Sequence, residues 1–127
     1  MTILTNVLIT GANAGLGKEC ALQLSQLACV EKIYLGCRSR KKAEAAKKEL
    51  EGQSGFTSKF DILIIDVCDL KSVEKAVESL PVIDGLVLNA GGPGIDPLGE
   101  SSVLGVCNIL ALNLLGHVYL TNLLLDS

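Results

Sequence analysis

The sequence feature that most constrains the fold is a glycine-rich turn between an apolar run and a segment with helical spacing. The apolar run covers residues 3–9, and the turn follows it with the sequence TGANAGLG at residues 10–17. Apolar residues then recur at helical spacing over residues 15–28, which predicts a helix. Because glycines let backbone N–H groups approach phosphate oxygens, and a helix N-terminus adds unpaired donors, this arrangement predicts a phosphate-binding site. The residues expected to form it are Thr10, Gly11, Asn13, Ala14, Gly15, Leu16 and Gly17.

The alternation of strand and helix patterns continues along the chain. Apolar runs predict further strands over residues 32–37, 60–65 and 83–88, separated by segments of helical spacing. Long crossovers of this kind join parallel strands with right-handed connections. The expected fold is therefore an α/β, Rossmann-type doubly wound parallel sheet in three αβα layers, incomplete at the C-terminal end. Residues 1–127 are expected to form one domain.

Capping residues and a proline mark the two helices that follow the second and third strands. Ser39 is expected to cap the second helix and Gly52 to end it, with a loop over residues 53–59. Asp69 is expected to cap the third helix, which Pro81 stops. The predicted apolar faces consist of Ala43, Ala46 and Leu50 in the second helix and of Val73, Ala76, Val77 and Leu80 in the third.

Composition narrows the classes of function. A net charge of −3 and an aromatic content of 3% argue against a nucleic-acid partner. The five cysteines include no C-x-x-C pair, so we expect no metal site and no redox motif, but buried, reduced thiols. No secretory signal is visible at the N-terminus. The expected location is cytoplasmic, with association with an organelle or a membrane surface left open.

The last segment, residues 103–125, carries no formal charge and has the length of a membrane span. Five polar residues interrupt it, and each is costly in lipid, so we expect a buried or interface helix and no membrane span. Asn113, His117 and Thr121 lie at i, i+4 and i+8, which predicts a polar face directed into a site or another polar surface. Self-association through the apolar side of this helix is a further expectation.

Polar residues follow the predicted strands at their carboxyl ends. Ligands in doubly wound sheets bind outside these ends. The glycine-rich turn, Arg38, Asp66 and Asn89 all come directly after a predicted strand. The sequence therefore predicts one binding edge to which four segments contribute.

The end of the second strand indicates which cofactor binds. An NAD site places Asp or Glu about 20 residues after the glycine turn to hold the ribose 2′-hydroxyl. The chain instead has Arg38 and Ser39 and no carboxylate at this point. Because a guanidinium holds a 2′-phosphate bidentately, we expect NADP in preference to NAD, with Arg38 and Ser39 as ligands. The following cations, Arg40, Lys41 and Lys42, are interpreted as a solvated helix start.

Several motifs together resemble the short-chain dehydrogenase/reductase family. Thr10 and the spacing Gly11-x-x-x-Gly15-x-Gly17 match its T-G-x-x-x-G-x-G signature, and Asn89-Ala90-Gly91 matches N-N-A-G except for a leucine at position 88. Asn113 matches the asparagine of a family helix. Residues 36–39 and 116–125 resemble the branch of retinol dehydrogenases and protochlorophyllide reductases. By this resemblance, residues 1–127 are the N-terminal half of a single-domain NAD(P)-binding enzyme.

The resemblance also implies roles for individual residues. Asp66, with Val67, is expected to contact the adenine amino group, although a turn aspartate is the alternative. Asn89, Ala90 and Gly91 are expected to lie against the cofactor, and the Leu88 side chain to face the core. Asn113 is expected to help hold the proton-relay water and the catalytic lysine. His117 is interpreted as a hydrogen-bonded helix residue, not as a catalytic base.

The implied activity is hydride transfer between NADP and a carbonyl, an alcohol or an activated double bond. The family uses a Tyr-x-x-x-Lys pair for proton transfer, and neither Tyr34 nor Tyr119 has a lysine four residues later. We therefore expect this pair, a serine and the remaining strands to come after Ser127. The chain as given is expected to be truncated and to bind NADP without turnover. A non-catalytic NADP-binding sensor or partner subunit is the alternative.

Overall fold

The computed structural model describes residues 4–92, 98–99 and 105–127. These residues form two compact units. The first contains residues 4–64 and 81–89, and the second contains residues 65–80 together with the described residues of 90–127. Of the predictions above, parts of the first strand, of the turn after Asn89 and of the last apolar segment lie outside the described residues.

The first unit is built on a four-stranded parallel sheet with the strand order β3-β2-β1-β4. The strands are Asn6–Thr10 (β1), Lys32–Cys37 (β2), Phe60–Ile64 (β3) and Gly85–Val87 (β4). β1 pairs with β2 on one side and with β4 on the other, and β2 pairs with β3. The parallel pairing and the helices between successive strands confirm the predicted α/β architecture.

The helices follow the predicted order. Apart from a five-residue π-helical turn, Ala111–Leu115, they are α-helical. They are Gly15–Ser25 (α1), Arg40–Ser54 (α2), Leu70–Glu78 (α3), Asn108–Leu110 (α4) and Gly116–Leu125 (α5).

Helix caps are confirmed where a side-chain oxygen was predicted to supply them. Ser39 accepts a hydrogen bond from Lys42 N–H, and Asp69 accepts from the first turn of α3. Gly52 does not end α2, because the helix continues through it to a left-handed cap at Gly55 (φ 78°). Glycine costs a helix interior only about 1 kcal/mol, whereas the positive φ at the end of the helix favours glycine strongly.

Several predicted elements are too long. The first helix ends at Ser25, three residues before its predicted end. The third helix ends at Glu78, so it stops before it reaches Pro81. β3 and β4 are shorter than their apolar runs. An apolar run indicates which residues are buried, and buried residues extend beyond those that pair in the sheet. Ile65, directly after β3, is an example.

The core of the first unit lies between the sheet and its helices. Residues 7–10 of β1 are all buried, as in a parallel strand covered on both faces. The predicted apolar face of α2 is confirmed, since Ala43, Ala46 and Leu50 are buried. The prediction of buried cysteines is wrong for four of the five, because only Cys37 is buried; all five are free thiols.

The second unit packs α3 against α5. The Tyr119 hydroxyl on α5 donates a hydrogen bond to the Glu74 carboxylate on α3, and this carboxylate raises the pKa of the tyrosine. Gly116, the first residue of α5, lies directly on the backbone of Val67, where any Cβ atom would overlap the Val67 carbonyl group. A glycine is therefore required for α5 to approach residues 65–67 this closely.

The last helical segment is only partly buried. Its buried residues are Ala111, Gly116, His117 and Leu120, whereas Leu110, Leu114 and Val118 are exposed along another face. Within the described part of the chain, Asn108–Leu125 is long and apolar enough to cross a membrane by length and composition, and 22% of it is buried. Core helices of soluble proteins meet the same criterion, and the cytoplasmic location stays a prediction.

Candidate functional site

The glycine-rich turn after β1 has the backbone geometry that its glycines permit. Gly11 (φ 66°) and Gly15 (φ 55°) adopt the left-handed conformation, which other residues rarely adopt. Gly17 is required for a different reason. A Cβ atom at this position would overlap the carbonyl oxygen of Gly11 and the side-chain amide nitrogen of Asn89. The first turn of α1 therefore packs directly onto the loop that precedes it.

The start of α1 presents free backbone donors. Its N-cap residue, Ala14, has no side chain that can accept a hydrogen bond, and no side chain among the described residues caps this turn. Leu16 is 83% exposed. Leu16, one of the residues expected to form the phosphate site, thus exposes its side chain in the first turn of α1. Asn13 is half-buried in the same loop.

Asn89 ties the glycine-rich turn to the end of β4. Its side-chain amide donates hydrogen bonds to the carbonyl oxygens of Thr10 (3.1 Å) and Gly11 (3.2 Å). Its backbone N–H donates to the Thr10 hydroxyl oxygen at 3.0 Å. Three hydrogen bonds thus connect residues 78 or 79 positions apart in the sequence. Asn89 acts here as a clamp that fixes the entry of the chain into the turn.

The end of β2 supports the same turn from the other side. The Gly36 carbonyl oxygen accepts hydrogen bonds from the N–H groups of Gly11 (2.8 Å) and Ala12 (3.3 Å). The next residue, Cys37, is 2% exposed. Burial raises the pKa of its thiol to about 11, against a smaller lowering by a hydrogen bond from the Ala12 backbone. The thiol is therefore protonated at neutral pH.

Arg38 and Ser39 follow directly, in the same unit as the turn. Arg38 is exposed and forms no ion pair with any residue in the described ranges. The Ser39 oxygen accepts from Lys42 N–H at 3.3 Å, which leaves its hydroxyl hydrogen available to a ligand. The first turn of α2 contains no acidic residue. This end of β2 is therefore cationic, with donors from a side chain and from a helix N-terminus.

Asp66 and Val67 belong to the second unit. The Asp66 carboxylate accepts a hydrogen bond from Cys68 N–H at 2.9 Å, and the Asp66 backbone N–H donates to the Ser72 hydroxyl oxygen. Asp66 thus forms the hydrogen bond of a turn aspartate, and its adenine contact stays a prediction. Only one of its carboxylate oxygens is used by the described residues.

Asn113 in the π-helical turn holds the segment that contains Ala90 and Gly91. Its side-chain oxygen accepts from Gly92 N–H at 3.0 Å, and its side-chain nitrogen donates to the Gly92 carbonyl oxygen at 2.8 Å. The same nitrogen donates to Ile109 O at 2.8 Å. The amide therefore pairs with both backbone groups of one residue, next to the predicted Asn89-Ala90-Gly91 motif.

His117 lies one turn beyond Asn113 and is 5% exposed. Burial lowers the pKa of His117, and the Asn113 backbone has the opposing, smaller effect. The Thr121 hydroxyl in turn donates to the His117 carbonyl oxygen at 2.7 Å. On the predicted polar face, the Asn113 side chain thus bonds to the backbone of Gly92, and the Thr121 side chain bonds to the backbone of its own helix.

Some features of the site could not be read from the residue types. The Gly36 carbonyl and the Asn89 amide support the turn through long-range hydrogen bonds that no local spacing indicates. The expectation that Leu88 faces the core is wrong, because its side chain is 47% exposed. Among the described residues no group of three or more His, Cys, Asp or Glu side chains could hold a metal ion.

Comparison with known families agrees with the turn geometry. A family model described as short chain dehydrogenase matches residues 5–127. The chain belongs to the short-chain dehydrogenase family. The resemblance drawn from Thr10 to Gly17, Asn89 and Asn113 is thereby confirmed.

The relatives of this chain include retinol dehydrogenases, in agreement with the predicted branch of the family. Human retinol dehydrogenase 13 is 36% identical over 125 residues, which cover 95% of this chain and 36% of that protein. The NADP-dependent 3-hydroxy acid dehydrogenase of Schizosaccharomyces pombe is 34% identical over 128 residues, which cover 94% of this chain and 47% of that protein. The chain thus spans between about a third and a half of the length of these relatives.

Solved structures of the family share the fold. An alcohol dehydrogenase from the archaeon Thermococcus sibiricus, complexed with 5-hydroxy-NADP, superposes with a TM-score of 0.70 and 26% identity. The match covers 97% of this chain and 52% of that protein. The sheet and helices described above are therefore those of the family's Rossmann-type fold.

Proposed function

We propose that this chain is the cofactor-binding part of an NADP-dependent oxidoreductase that acts on a carbonyl, an alcohol or an activated double bond. The observation that carries the proposal is the cationic end of β2. Arg38 is exposed there without an ion-pair partner in the described residues, two positions after the carbonyl that supports the glycine-rich turn. The NADP-dependent relative from Schizosaccharomyces pombe supports the choice of cofactor.

The turn fits the diphosphate of a dinucleotide. Uncapped N–H groups at the start of α1 are donors for phosphate oxygens, and the absence of a side chain at Gly15 leaves the backbone accessible. The exposed Leu16 side chain is an apolar surface that a bound cofactor would cover. Thr10 and Asn89 act on the cofactor indirectly, because their hydrogen bonds hold the turn.

Arg38 and Ser39 fit the 2′-phosphate that distinguishes NADP from NAD. A guanidinium forms two parallel hydrogen bonds with a phosphate, and the Ser39 hydroxyl and the free N–H groups of the first turn of α2 add further donors. A carboxylate at this position would repel the phosphate, and the described residues place none in the first turn of α2.

The remaining predicted residues belong to the second unit, and their roles are proposed from the family resemblance. We assign the adenine contact to the carboxylate oxygen of Asp66 that the Cys68 turn does not use, with Val67 beside it. Ala90 and Gly91 are assigned to the backbone that lies against the cofactor, with Asn113 holding this backbone through Gly92. Bound NADPH would supply the hydride for a reduction, and bound NADP+ would accept it in an oxidation; the chain's own residues bind and orient the cofactor.

Arg38→Ala tests the proposal directly. Loss of hydrogen bonds to a charged phosphate is worth about 1.5–3 kcal/mol, so NADP affinity measured by calorimetry should fall by about 10- to 100-fold. The affinity for NAD, which lacks this phosphate, should be unchanged. The matched control is Arg40→Ala, which removes an exposed cation two residues away and should alter neither affinity by more than about threefold.

Two results would contradict the proposal. One is an equal loss of NADP and NAD affinity in Arg38→Ala, and the other is an equal effect of Arg40→Ala on NADP. Hydride transfer is tested by following NADPH oxidation with aldehydes and ketones in a form of the protein that carries a Tyr-x-x-x-Lys sequence. A natural full-length sequence without this motif would favour the non-catalytic NADP-binding sensor instead.

A partner surface is proposed from the last helical segment. Leu110, Leu114 and Val118 are exposed at spacings of four residues, which places an apolar strip on one side of the segment. Such a strip favours association between copies of the chain. Sedimentation velocity should show concentration-dependent association, weakened in Leu114→Gln; a monomer at all concentrations would contradict the assignment.

A further inference from the structure

The turn formed by residues 66–69 is joined to the first turn of α3 by the Ser72 side chain. The Asp66 N–H donates a hydrogen bond to the Ser72 hydroxyl oxygen at 2.9 Å. The Asp66 carbonyl oxygen accepts from the Asp69 N–H at 3.0 Å, and one Asp66 carboxylate oxygen accepts from the Cys68 N–H at 2.9 Å. Within the described residues, these bonds leave the second carboxylate oxygen of Asp66 available to a ligand.

Ser72 is itself held in place by its neighbours in α3. Asp69, the N-cap of this helix, accepts from the N–H groups of Lys71 (3.0 Å) and Ser72 (3.4 Å). The next residue, Val73, is fully buried, and its N–H donates to the Asp69 carbonyl oxygen at 3.0 Å. Short polar side chains at a helix N-terminus commonly bond to the nearby backbone in this way. The Ser72 hydroxyl thus offers Asp66 an acceptor whose position is fixed by the helix.

The backbone that follows Asp66 is restricted by α5. Val67 is buried, and Gly116 lies so close to it that a Cβ atom on the glycine would overlap the Val67 carbonyl group. Residues 66–67 therefore lie between two helices of the second unit, with a hydrogen bond to α3 and a close backbone contact with α5. Of these two constraints, the bond to Ser72 is the one that acts on Asp66 itself.

We propose that Ser72 is a positioning residue, which holds Asp66 so that its second carboxylate oxygen faces the amino group of the adenine. The inference rests on the adenine contact of the proposed function. Without the bond to Ser72 the peptide group before Asp66 rotates more freely, and the carboxylate loses its fixed direction. Because a carboxylate only accepts hydrogen bonds, it favours a purine with an amino group over one with a carbonyl oxygen at the same position. Ser72 then contributes to the choice of base through Asp66.

A purely structural role of Ser72 predicts a different result. The Ser72 hydroxyl satisfies the N–H group of a half-buried residue, so its loss lowers the free energy of unfolding in either case. Its loss changes the preference between two bases only if it moves the carboxylate that contacts the base. The ratio of two affinities therefore separates the two roles, because a general loss of stability affects the binding of both ligands equally.

Calorimetric titration of the 127-residue chain with NADP and with its hypoxanthine analogue measures this ratio. In the analogue a carbonyl oxygen replaces the adenine amino group. Because the hydrogen bond involves a charged acceptor, NADP should bind at least about tenfold more tightly than the analogue. Asp66→Ala should reduce this ratio to about one, and Ser72→Ala should reduce it to about three or less. Ser72→Thr keeps the hydroxyl and should keep the ratio within about twofold of the wild type.

Amide hydrogen exchange at Asp66, followed by NMR without any cofactor, tests the bond to Ser72 by itself. Ser72→Ala removes the acceptor of the Asp66 N–H, so exchange should accelerate by about tenfold or more, whereas Ser72→Thr should leave it within about threefold of the wild type. The matched control is Ser79→Ala at the C-terminal end of α3, where the lost hydroxyl donates to the Ala76 carbonyl oxygen. This control should alter neither Asp66 exchange nor the ratio of affinities.

A ratio that Asp66→Ala abolishes and Ser72→Ala leaves unchanged would overturn the inference while supporting the adenine contact. Wild-type exchange at Asp66 in Ser72→Ala, or an equal fall of the ratio in Ser79→Ala, would overturn it as well. If the wild type binds both dinucleotides equally, or if Asp66→Ala keeps the wild-type ratio, the adenine contact of the proposed function is contradicted, and the role of Ser72 with it.

Discussion

Replacing Asn89 with alanine removes the two hydrogen bonds that its side-chain amide donates to Thr10 O and Gly11 O. The hydrogen bond from its backbone N–H to the Thr10 hydroxyl is retained, because it does not involve the side chain. The variant therefore isolates the contribution of the amide to the stability of the glycine-rich turn. Gly17 packs against the same amide, so a small cavity also forms at the start of α1.

The expected loss of unfolding free energy is about 2 kcal/mol. A neutral hydrogen bond contributes about 0.5–1.5 kcal/mol net, and a buried acceptor left without its donor costs about 1–3 kcal/mol. Thr10 is fully buried, so its carbonyl gains little compensation from water, whereas Gly11 is half-buried and gains more. With about 2.1 cal/mol/K of unfolding entropy per residue over 127 residues, this loss lowers Tm by about 7 °C.

Urea unfolding followed by circular dichroism measures the change without any cofactor. Asn89→Asp is a second variant of the same shape, in which a carboxylate faces two carbonyl oxygens, and it should destabilise the fold at neutral pH by more than alanine does. Asn122→Ala, on the exposed surface of α5, is the control and should change stability by less than about 0.5 kcal/mol. A change of that small size in Asn89→Ala would refute the clamp.

Three further predictions concern stability. Gly17→Ala should lower the free energy of unfolding by about 2 kcal/mol or more, because the new Cβ atom overlaps neighbouring atoms. Gly52→Ala, where a Cβ atom meets no other atom within 4 Å, should raise it by about 0.5–1 kcal/mol in the same urea assay. Burial lowers the pKa of His117 below its ordinary value of 6.5. The contribution of the neutral ring to the free energy of unfolding is therefore present above pH 6.5 and is lost as the pH falls through the pKa of the folded state. Urea unfolding measured from about pH 7.5 to about pH 5 should show this decline, and His117→Gln should show less of it. An equal decline in both proteins would assign the effect to other groups. Lys59→Met should cost about 1 kcal/mol, because the Lys59 ammonium donates to two carbonyl oxygens at the end of α1; an unchanged urea midpoint would contradict that role.

Local signals accounted for much of the fold. Ser39 and Asp69 were predicted as caps because a short side-chain oxygen before an apolar-periodic segment satisfies the free N–H groups of a helix start. β2 was predicted at its observed bounds because its apolar run is flanked by charged residues. The choice between Gly52 and Gly55 as the helix end could not be made from the sequence, since spacing does not reveal which glycine adopts a positive φ.

The residues of the candidate site could be predicted from the sequence, but their hydrogen-bond partners could not. The spacing of Gly11, Gly15 and Gly17 reports backbone requirements, which are local. The hydrogen bonds of Asn89 join residues 78 or 79 positions apart, and no periodicity encodes such a pairing. For Asn113 and His117 the helical spacing indicated a shared face. It did not indicate that the helix contains a π-helical turn there, or that the Asn113 amide pairs with the backbone of Gly92.

The central claim is that the glycine-rich turn and Arg38 together bind NADP in preference to NAD. Calorimetric titration of the folded chain with each dinucleotide tests it most directly. The additional charged hydrogen bonds to the 2′-phosphate predict that NADP binds at least about tenfold more tightly than NAD. Equal affinities, tighter binding of NAD, or no binding of either dinucleotide by the folded chain would contradict the account.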